Sequence, residues 1–249
     1  MLKLNRSFAS AFVAEDELVS YMDEHADVLA RCQAGEDRYA DSLGWLSVDE
    51  WASDAILDRT CALAEQIRSM ADTFVVIGVG GSNNGSRSVQ AALAPEGARL
   101  VWAGNTLSAW ELNRVLDELE GHDVVIDCIA KNFETLEPGS SFRLLRQYLV
   151  ERYGREEAAR RIVCTGTIGS PLEDLCRAEG YTFVPFATNV GGRYTALTEV
   201  HLLPMAVAGV DIRALVAGAR TMERLLRMAP AGENSAFAYA SARNMLSSF

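Results

Sequence analysis

The fold can be read from residues 74–85, which run FVVIGVGGSNNG. Four apolar residues, mostly β-branched, lead without a break into a glycine-rich turn, a pattern typical of a buried strand followed by a tight loop. Similar short apolar runs recur at 100–102, 124–126, 161–164 and 181–184. They lack the alternation of apolar and polar residues that a half-exposed strand shows, so we expect strands buried on both faces.

Stretches of helix length separate these runs, at 85–94, 108–119, 138–153 and 170–179. Ser108 and Glu111 have the spacing of a capping box at the start of the second stretch, and we expect the third to begin just after Pro138. Strands that alternate with helices predict an α/β fold, a doubly wound five-stranded parallel sheet with helices on both faces.

Helical segments flank this sheet. Leu18, Met22, Ala26 and Leu29 share one helical face in a pattern that ends at Gly35. A second helix is predicted to begin after Ser53, a suitable N-cap residue.

After residue 194 the pattern predicts three consecutive helices, over 194–208, 211–228 and 233–247. We therefore divide the chain into an N-terminal helical segment (1–70), an α/β domain (71–193) and a C-terminal helical segment (194–249). With no further strand to pack on, the last three helices are expected to pack against a partner chain or a missing second half, and to lead to a second subdomain absent from this chain.

Composition excludes several classes of function. The chain has 249 residues, 49% of them apolar and 23% charged, as in ordinary globular proteins. The net charge of −11 argues against nucleic acid or an anionic membrane as the main partner, because both need a basic surface. No apolar run approaches the ~20 residues of a membrane-spanning helix. The five cysteines are scattered without a C-x-x-C pair, as free thiols in a reducing compartment are, so we expect a cytoplasmic protein.

Three glycine-containing or polar loops follow strands one, three and five. In an open parallel sheet, ligands bind at the carboxyl ends of the strands. The first loop, 78–85, lacks both the G-x-G-x-x-G spacing of dinucleotide-binding folds and the lysine of a P-loop. Its backbone amides could hold an anion or a sugar, or it could be a tight turn without a ligand.

The other two loops each contain a positively charged side chain, Lys131 or Arg193. Lys131 begins a loop that contains Asn132 and Thr135 and leads into a helix, the arrangement of a phosphate site or of an ordinary solvated loop. Arg193 follows two glycines after strand five, where a guanidinium could stabilise a developing oxyanion or simply lie in a surface turn. The three histidines lie far apart in sequence and have no metal-ligand spacing.

Taken in this order, the loops resemble those of the glucose-6-phosphate isomerase family in its bacterial form. The resemblance runs from about Gly44 to the end of the chain and is carried by 76–82 (VIGVGGS), 103–108 (AGNTLS), 131–137 (KNFETLE), 190–195 (VGGRYT) and 202–212 (LLPMAVAGVDI). It implies a sugar isomerase (SIS) fold, a cytoplasmic dimer, and interconversion of glucose 6-phosphate and fructose 6-phosphate through a cis-enediolate without a metal or redox cofactor.

The resemblance also implies roles for individual residues. Gly81 and Ser82 would contact the sugar, and Arg193 would neutralise the enediolate oxygen. Glu137 matches the carboxylate that orients the family's ring-opening histidine. The phosphate would be held by Lys131, Asn132 and Thr135.

Two features depart from the family pattern. The family chain is nearly twice as long, and its general base, ring-opening histidine and catalytic lysine come from a second subdomain, so we expect this chain to be inactive alone and to act as a homodimer or with a complementing C-terminal half. The loops also differ in residue type at 130, 132, 134 and 188, and at 199 and 201 Glu199 and His201 stand where the family has small residues. These differences favour an alternative, a non-catalytic SIS-type module that binds a phosphosugar or only dimerises.

Overall fold

The computed structural model describes residues 4–36, 43–93, 95–131 and 133–247. Within these residues the chain forms a five-stranded sheet in the order β2-β1-β3-β4-β5, with every pair of neighbours parallel. The predicted SIS-type α/β class is confirmed. The strands are β1 (Thr73–Ile77), β2 (Arg99–Ala103), β3 (Val124–Ala130), β4 (Ile162–Gly166) and β5 (Thr182–Pro185).

Helices precede, connect and follow the strands. Before the sheet lie α1 (Glu15–Glu24), α2 (Ala26–Ala34), α3 (Val48–Ala52) and α4 (Asp54–Met70). Between strands lie α5 (Asn84–Leu93), α6 (Ala109–Leu119), α7 (Leu136–Tyr153), α8 (Arg155–Arg160) and α9 (Pro171–Glu179). After the sheet come α10 (Glu199–Val207), α11 (Ile212–Met228) and α12 (Ser235–Leu246).

The sheet is covered on both faces, as double burial of its strands requires. Val125 and Ile129 of β3 point into a core formed with α4, α10 and α11, whereas Ile126 and Cys128 point into a second core formed with α6, α7 and α9. β1, β3 and β4 are buried along their whole length. The alternation of side chains across a strand thus sends apolar groups into two separate cores.

Two helix boundaries differ from those predicted. The first helical pattern is broken at His25 into α1 and α2, and the Tyr21 and His25 rings stack with centroids 4.1 Å apart. Helix α7 begins at Leu136, two residues before Pro138. Proline is tolerated there because the N–H groups of the first helical turn have no partner within the helix. Ser53 caps α4 as predicted, since its hydroxyl accepts from the Ile56 amide.

The C-terminal helices pack within this chain. A 3₁₀ helix over Gly192–Leu197 replaces the predicted start of the first helix, and the fully buried α10 packs against α4 and the sheet. Helix α11 packs against α3, and α12 packs against α1. The N-terminal helices thus cover part of them, while Leu225, Met228 and Tyr239 stay exposed. The expectation that these helices also pack against a partner outside the chain stays a prediction.

Two further features of the fold concern the cysteines and the helix lengths. All five cysteines are free thiols, and Cys128, Cys164 and Cys176 are buried. In the part of the chain that the structure describes, no helix combines the length and the apolar character needed to cross a bilayer.

Candidate functional site

The loops that follow the five strands lie at the edge of the sheet where the strands end, here called the carboxyl rim (loops 78–85, 104–108, 131–135, 167–170 and 186–194). Gly81 lies so close to the last loop that a Cβ placed on it would be 2.2 Å from the Gly192 carbonyl oxygen. The Lys131 ammonium donates to the carbonyls of Thr188 (3.3 Å) and Val190 (3.2 Å). The first loop and the Lys131 loop thus each contact the loop that follows β5.

Lys131 is held in place from several sides. Its ammonium lies 5.6 Å from the centroid of the Phe186 ring, and its own carbonyl accepts from the Thr167 hydroxyl at 2.9 Å. An ammonium has three N–H donors. Two of them point at the carbonyls of the last loop, and the third has no acceptor among the residues that the structure describes.

The N-terminus of α7 lies beside the end of β1. A Cβ on Gly104 would be 3.0 Å from the Gly78 nitrogen and 3.2 Å from the Pro138 Cα. Thr135 is the exposed N-cap residue, and its hydroxyl makes no capping hydrogen bond within the described residues. Glu137 is half-buried in the first turn of the helix. Asn132 lies outside the described residues, so its contact with phosphate stays a prediction.

Arg193 lies where the loop 186–194 passes into the 3₁₀ helix Gly192–Leu197. Its side chain is exposed and makes no hydrogen bond or ion pair with any residue that the structure describes. It lines a cleft of about 250 Å³ with Trp45 and Tyr194, whose rings stack 5.4 Å apart. Lys131 is not among the residues that line this cleft. No described residue thus occupies the hydrogen-bonding positions of the guanidinium, and the N-terminal segment forms one wall beside it.

His201, on α10, contacts the first loop at Gly81 and the start of α5 at Ser86. It is buried, with Nε2 2.7 Å from the Gly81 carbonyl oxygen and Nδ1 3.0 Å from the Ser86 nitrogen. Burial lowers the pKa of His201 to about 4, against a weaker opposing effect of the Gly81 carbonyl. The imidazole is therefore neutral near pH 7.

Comparison with known proteins decides the family. The sequence profile of the family described as Phosphoglucose isomerase matches residues 58–247. The chain belongs to the phosphoglucose isomerase family. Its matched region contains all three loops of the carboxyl rim discussed above.

Relatives with the name glucose-6-phosphate isomerase match over most of this chain. The protein from Staphylococcus saprophyticus is 34% identical over 242 residues, which cover 94% of this chain and 55% of the relative. The protein from Symbiobacterium thermophilum is 40% identical over 215 residues, covering 82% of this chain and 48% of the relative. The chain thus spans about half the length of these curated relatives.

Solved structures agree with the fold. A hypothetical protein from Thermus thermophilus is 26% identical with a TM-score of 0.83, over 96% of this chain and 56% of that one. A glucose-6-phosphate isomerase from Chlamydia trachomatis is 21% identical with a TM-score of 0.67, over 77% of this chain and 37% of that one. At that level of identity the second structure supports the fold alone.

Sequence reasoning found the loops of this phosphoglucose isomerase domain but missed the residue that ties two of them together. His201 stands 120 positions from Gly81, and the spacing of the three histidines gives no sign of the contact. The available signal was the presence of His201, together with Glu199, in the otherwise apolar α10.

Proposed function

We propose that this chain supplies the sugar-phosphate-binding half of an isomerase that interconverts glucose 6-phosphate and fructose 6-phosphate. The observation that carries the proposal is that the 78–85 and 131–135 loops each contact the 186–194 loop at one rim. Among the described residues, Lys131 makes two hydrogen bonds through its ammonium and the Arg193 guanidinium makes none. Membership of the phosphoglucose isomerase family supports the same reaction.

The phosphate would lie at the N-terminus of α7. There the free hydroxyl of Thr135 and the first amides of the helix offer donors to an anion, beside the remaining N–H of Lys131. Asn132 would add an amide donor. Gly81 and Ser82 would contact the sugar hydroxyls, because glycine lets the backbone come close to a ligand.

Arg193 would stabilise the charge that develops during proton transfer. In the reaction a base removes the C2 proton of the open-chain aldose and a cis-enediolate forms. The O2 hydroxyl proton passes to O1, and return of a proton to C1 gives the ketose. A fixed guanidinium beside the enediolate oxygen lowers the energy of that intermediate. Glu137 would orient the histidine that opens the sugar ring.

The general base, that histidine and a catalytic lysine would come from a second half or from a partner subunit. Large apolar side chains are exposed on the loops of the carboxyl rim and on the helix turns next to these loops. They include Val79, Leu107, Trp110, Leu136, Ile168 and Tyr194. A second half or a partner subunit would cover these side chains. We therefore propose that the working enzyme is a homodimer or a complex of this chain with a complementing C-terminal half, acting in the cytoplasm.

One observation favours a second candidate, a non-catalytic module that binds a phosphosugar or only dimerises. The Lys131 ammonium already donates to two backbone carbonyls, and the exposed Glu134 adds a negative charge close to the proposed phosphate position. A nearby carboxylate weakens anion binding.

Turnover and binding measured together separate the two candidates. Isomerase activity is assayed for this chain alone and with the C-terminal half of a relative supplied in trans, and fructose 6-phosphate is titrated by calorimetry. Activity that requires the second half supports the isomerase. Binding without turnover in either case supports the phosphosugar-binding module. Absence of binding contradicts both the isomerase and the binding module and leaves a module that only dimerises.

A further inference from the structure

His201 links the first loop of the carboxyl rim to α10 through both nitrogens of its ring. The side chain is 1% exposed. Nδ1 lies 3.0 Å from the Ser86 nitrogen, and because a backbone N–H can only donate, Nδ1 must accept. The ring proton of the neutral imidazole is then on Nε2, which donates to the Gly81 carbonyl at 2.7 Å. A single neutral tautomer satisfies both contacts, and its Nδ1 also lies 3.1 Å from the Ser86 hydroxyl, which can donate to it.

The ring also fills the space beside Gly85. A Cβ placed on Gly85 would lie 2.9 Å from both Cδ2 and Nε2 of His201. Any larger residue at position 85 would therefore displace the imidazole. The loop and the histidine fit each other sterically as well as through hydrogen bonds.

The carbonyl that His201 holds belongs to the backbone in contact with the Arg193 loop. A Cβ on Gly81 would lie 2.2 Å from the Gly192 oxygen and 2.9 Å from the Arg193 nitrogen. Because the peptide unit is planar, fixing the Gly81 carbonyl fixes the whole Gly81–Ser82 peptide. The position of His201 thus sets how the first loop meets the last one.

We propose that His201 is a positioning residue, which holds the Gly81–Ser82 peptide against the Arg193 loop and so sets the spacing between the sugar-contacting backbone and the guanidinium. Its effect on sugar binding rests on the proposed function, whereas its effect on the two loops does not. His201 itself touches neither the sugar nor the reacting atoms.

Two conservative substitutions separate the two hydrogen bonds. The side chain of His201→Gln is long enough to bring an N–H near the place of Nε2 and keep the bond to Gly81. His201→Asn reaches only the place of Nδ1, where it can accept from Ser86 but cannot reach Gly81. His201→Ala removes both bonds, and His122→Ala, at a half-exposed position next to Asp72, is the matched control.

The first readout is amide hydrogen exchange of peptides covering 78–86 and 190–195, without sugar. We expect exchange in both loops to become about tenfold faster in the Ala and Asn variants, from the loss of one buried hydrogen bond. The Gln and His122 variants should stay within about threefold of wild type. Equal rates in the Asn and Gln variants, or unchanged loops in the Ala variant, overturn the proposal.

The second readout is the calorimetric Kd for fructose 6-phosphate, expected to rise about tenfold in the Ala and Asn variants and to be restored by Gln. If wild type itself does not bind the sugar, the proposed function fails while the exchange data still decide the role of His201. If the His201→Ala protein does not fold, Gly85→Ala replaces it, because its Cβ displaces the ring; unchanged exchange in that variant also overturns the proposal.

Discussion

At the scale of single residues, two buried ionisable groups lie on the same face of the sheet with opposite pKa shifts. Asp127 of β3 is fully buried and accepts from the Thr165 hydroxyl at 3.0 Å, and burial raises its pKa to about 7 against the weaker lowering effect of Thr165. His201 of α10 has its pKa lowered to about 4, also by burial. Each group is therefore favoured in its neutral form by the folded state.

These two shifts predict opposing pH dependences of stability. Between pH about 4 and 7 folded Asp127 binds more protons than in the unfolded chain, so its contribution is lost as pH rises, by up to roughly 4 kcal/mol. Between pH about 4 and 6.5 folded His201 binds fewer protons, so its contribution is lost as pH falls. Asp127→Asn should remove the first effect and leave stability that increases from pH 4 to 6.5.

Urea unfolding of wild type and Asp127→Asn at several pH values between 4 and 8 measures this difference. Asp117→Asn, at an exposed position on α6, is the matched control for the loss of a carboxylate. If the free energy difference between wild type and Asp127→Asn does not change with pH, Asp127 is not the buried neutral acid that the structure indicates.

Arg193 is predicted to affect activity rather than stability. Because its exposed guanidinium has no partner among the described residues, Arg193→Ala should change the free energy of unfolding by less than about 0.5 kcal/mol. Loss of a fixed cation beside the enediolate should lower kcat about 10²–10³-fold, measured in whichever form of the enzyme turns over. Arg87→Ala, which removes an exposed arginine from α5, is the control. A large fall in Tm for Arg193→Ala would mark a structural role instead.

At the scale of elements, the site depends on close backbone contact between the loops after β1 and β5. Gly81→Ala should destabilise the fold by about 1–3 kcal/mol and weaken sugar binding, because its Cβ would overlap the Gly192 carbonyl. Gly192→Ala is the control for stability, since a Cβ there meets nothing within 4 Å. Thermal unfolding compares the Tm values of the Gly81→Ala and Gly192→Ala variants. Equal values would show that the two loops can move apart without loss of stability.

Some secondary-structure elements can be predicted from local sequence, and others depend on contacts between distant parts of the chain. The five strands were predictable because runs such as Phe74 to Ile77 lack polar alternation, and Ser53 was recognisable as a cap from its local neighbours. The 3₁₀ helix over Gly192–Leu197 was not, because it is shaped by contact with the first loop. The hydrogen bond between His201 and Gly81 joins residues 120 positions apart, and no local pattern encodes such a pair.

At the scale of the whole molecule, the chain folds around a complete sheet and spans about half the length of its curated relatives. Helix α12 packs on α1, and α11 packs on α3. The carboxyl rim, in contrast, exposes apolar side chains around the proposed site. Binding of phosphosugar is therefore expected from this chain, and turnover only when another domain or subunit covers the rim.

The most direct test is a crystal structure of the chain with fructose 6-phosphate bound. We expect the phosphate between the Lys131 ammonium and the N-terminus of α7 near Thr135, and the C1–C2 end of the sugar near the Arg193 guanidinium. A sugar bound elsewhere on the molecule, or one whose phosphate lies away from both Lys131 and α7, would contradict the account.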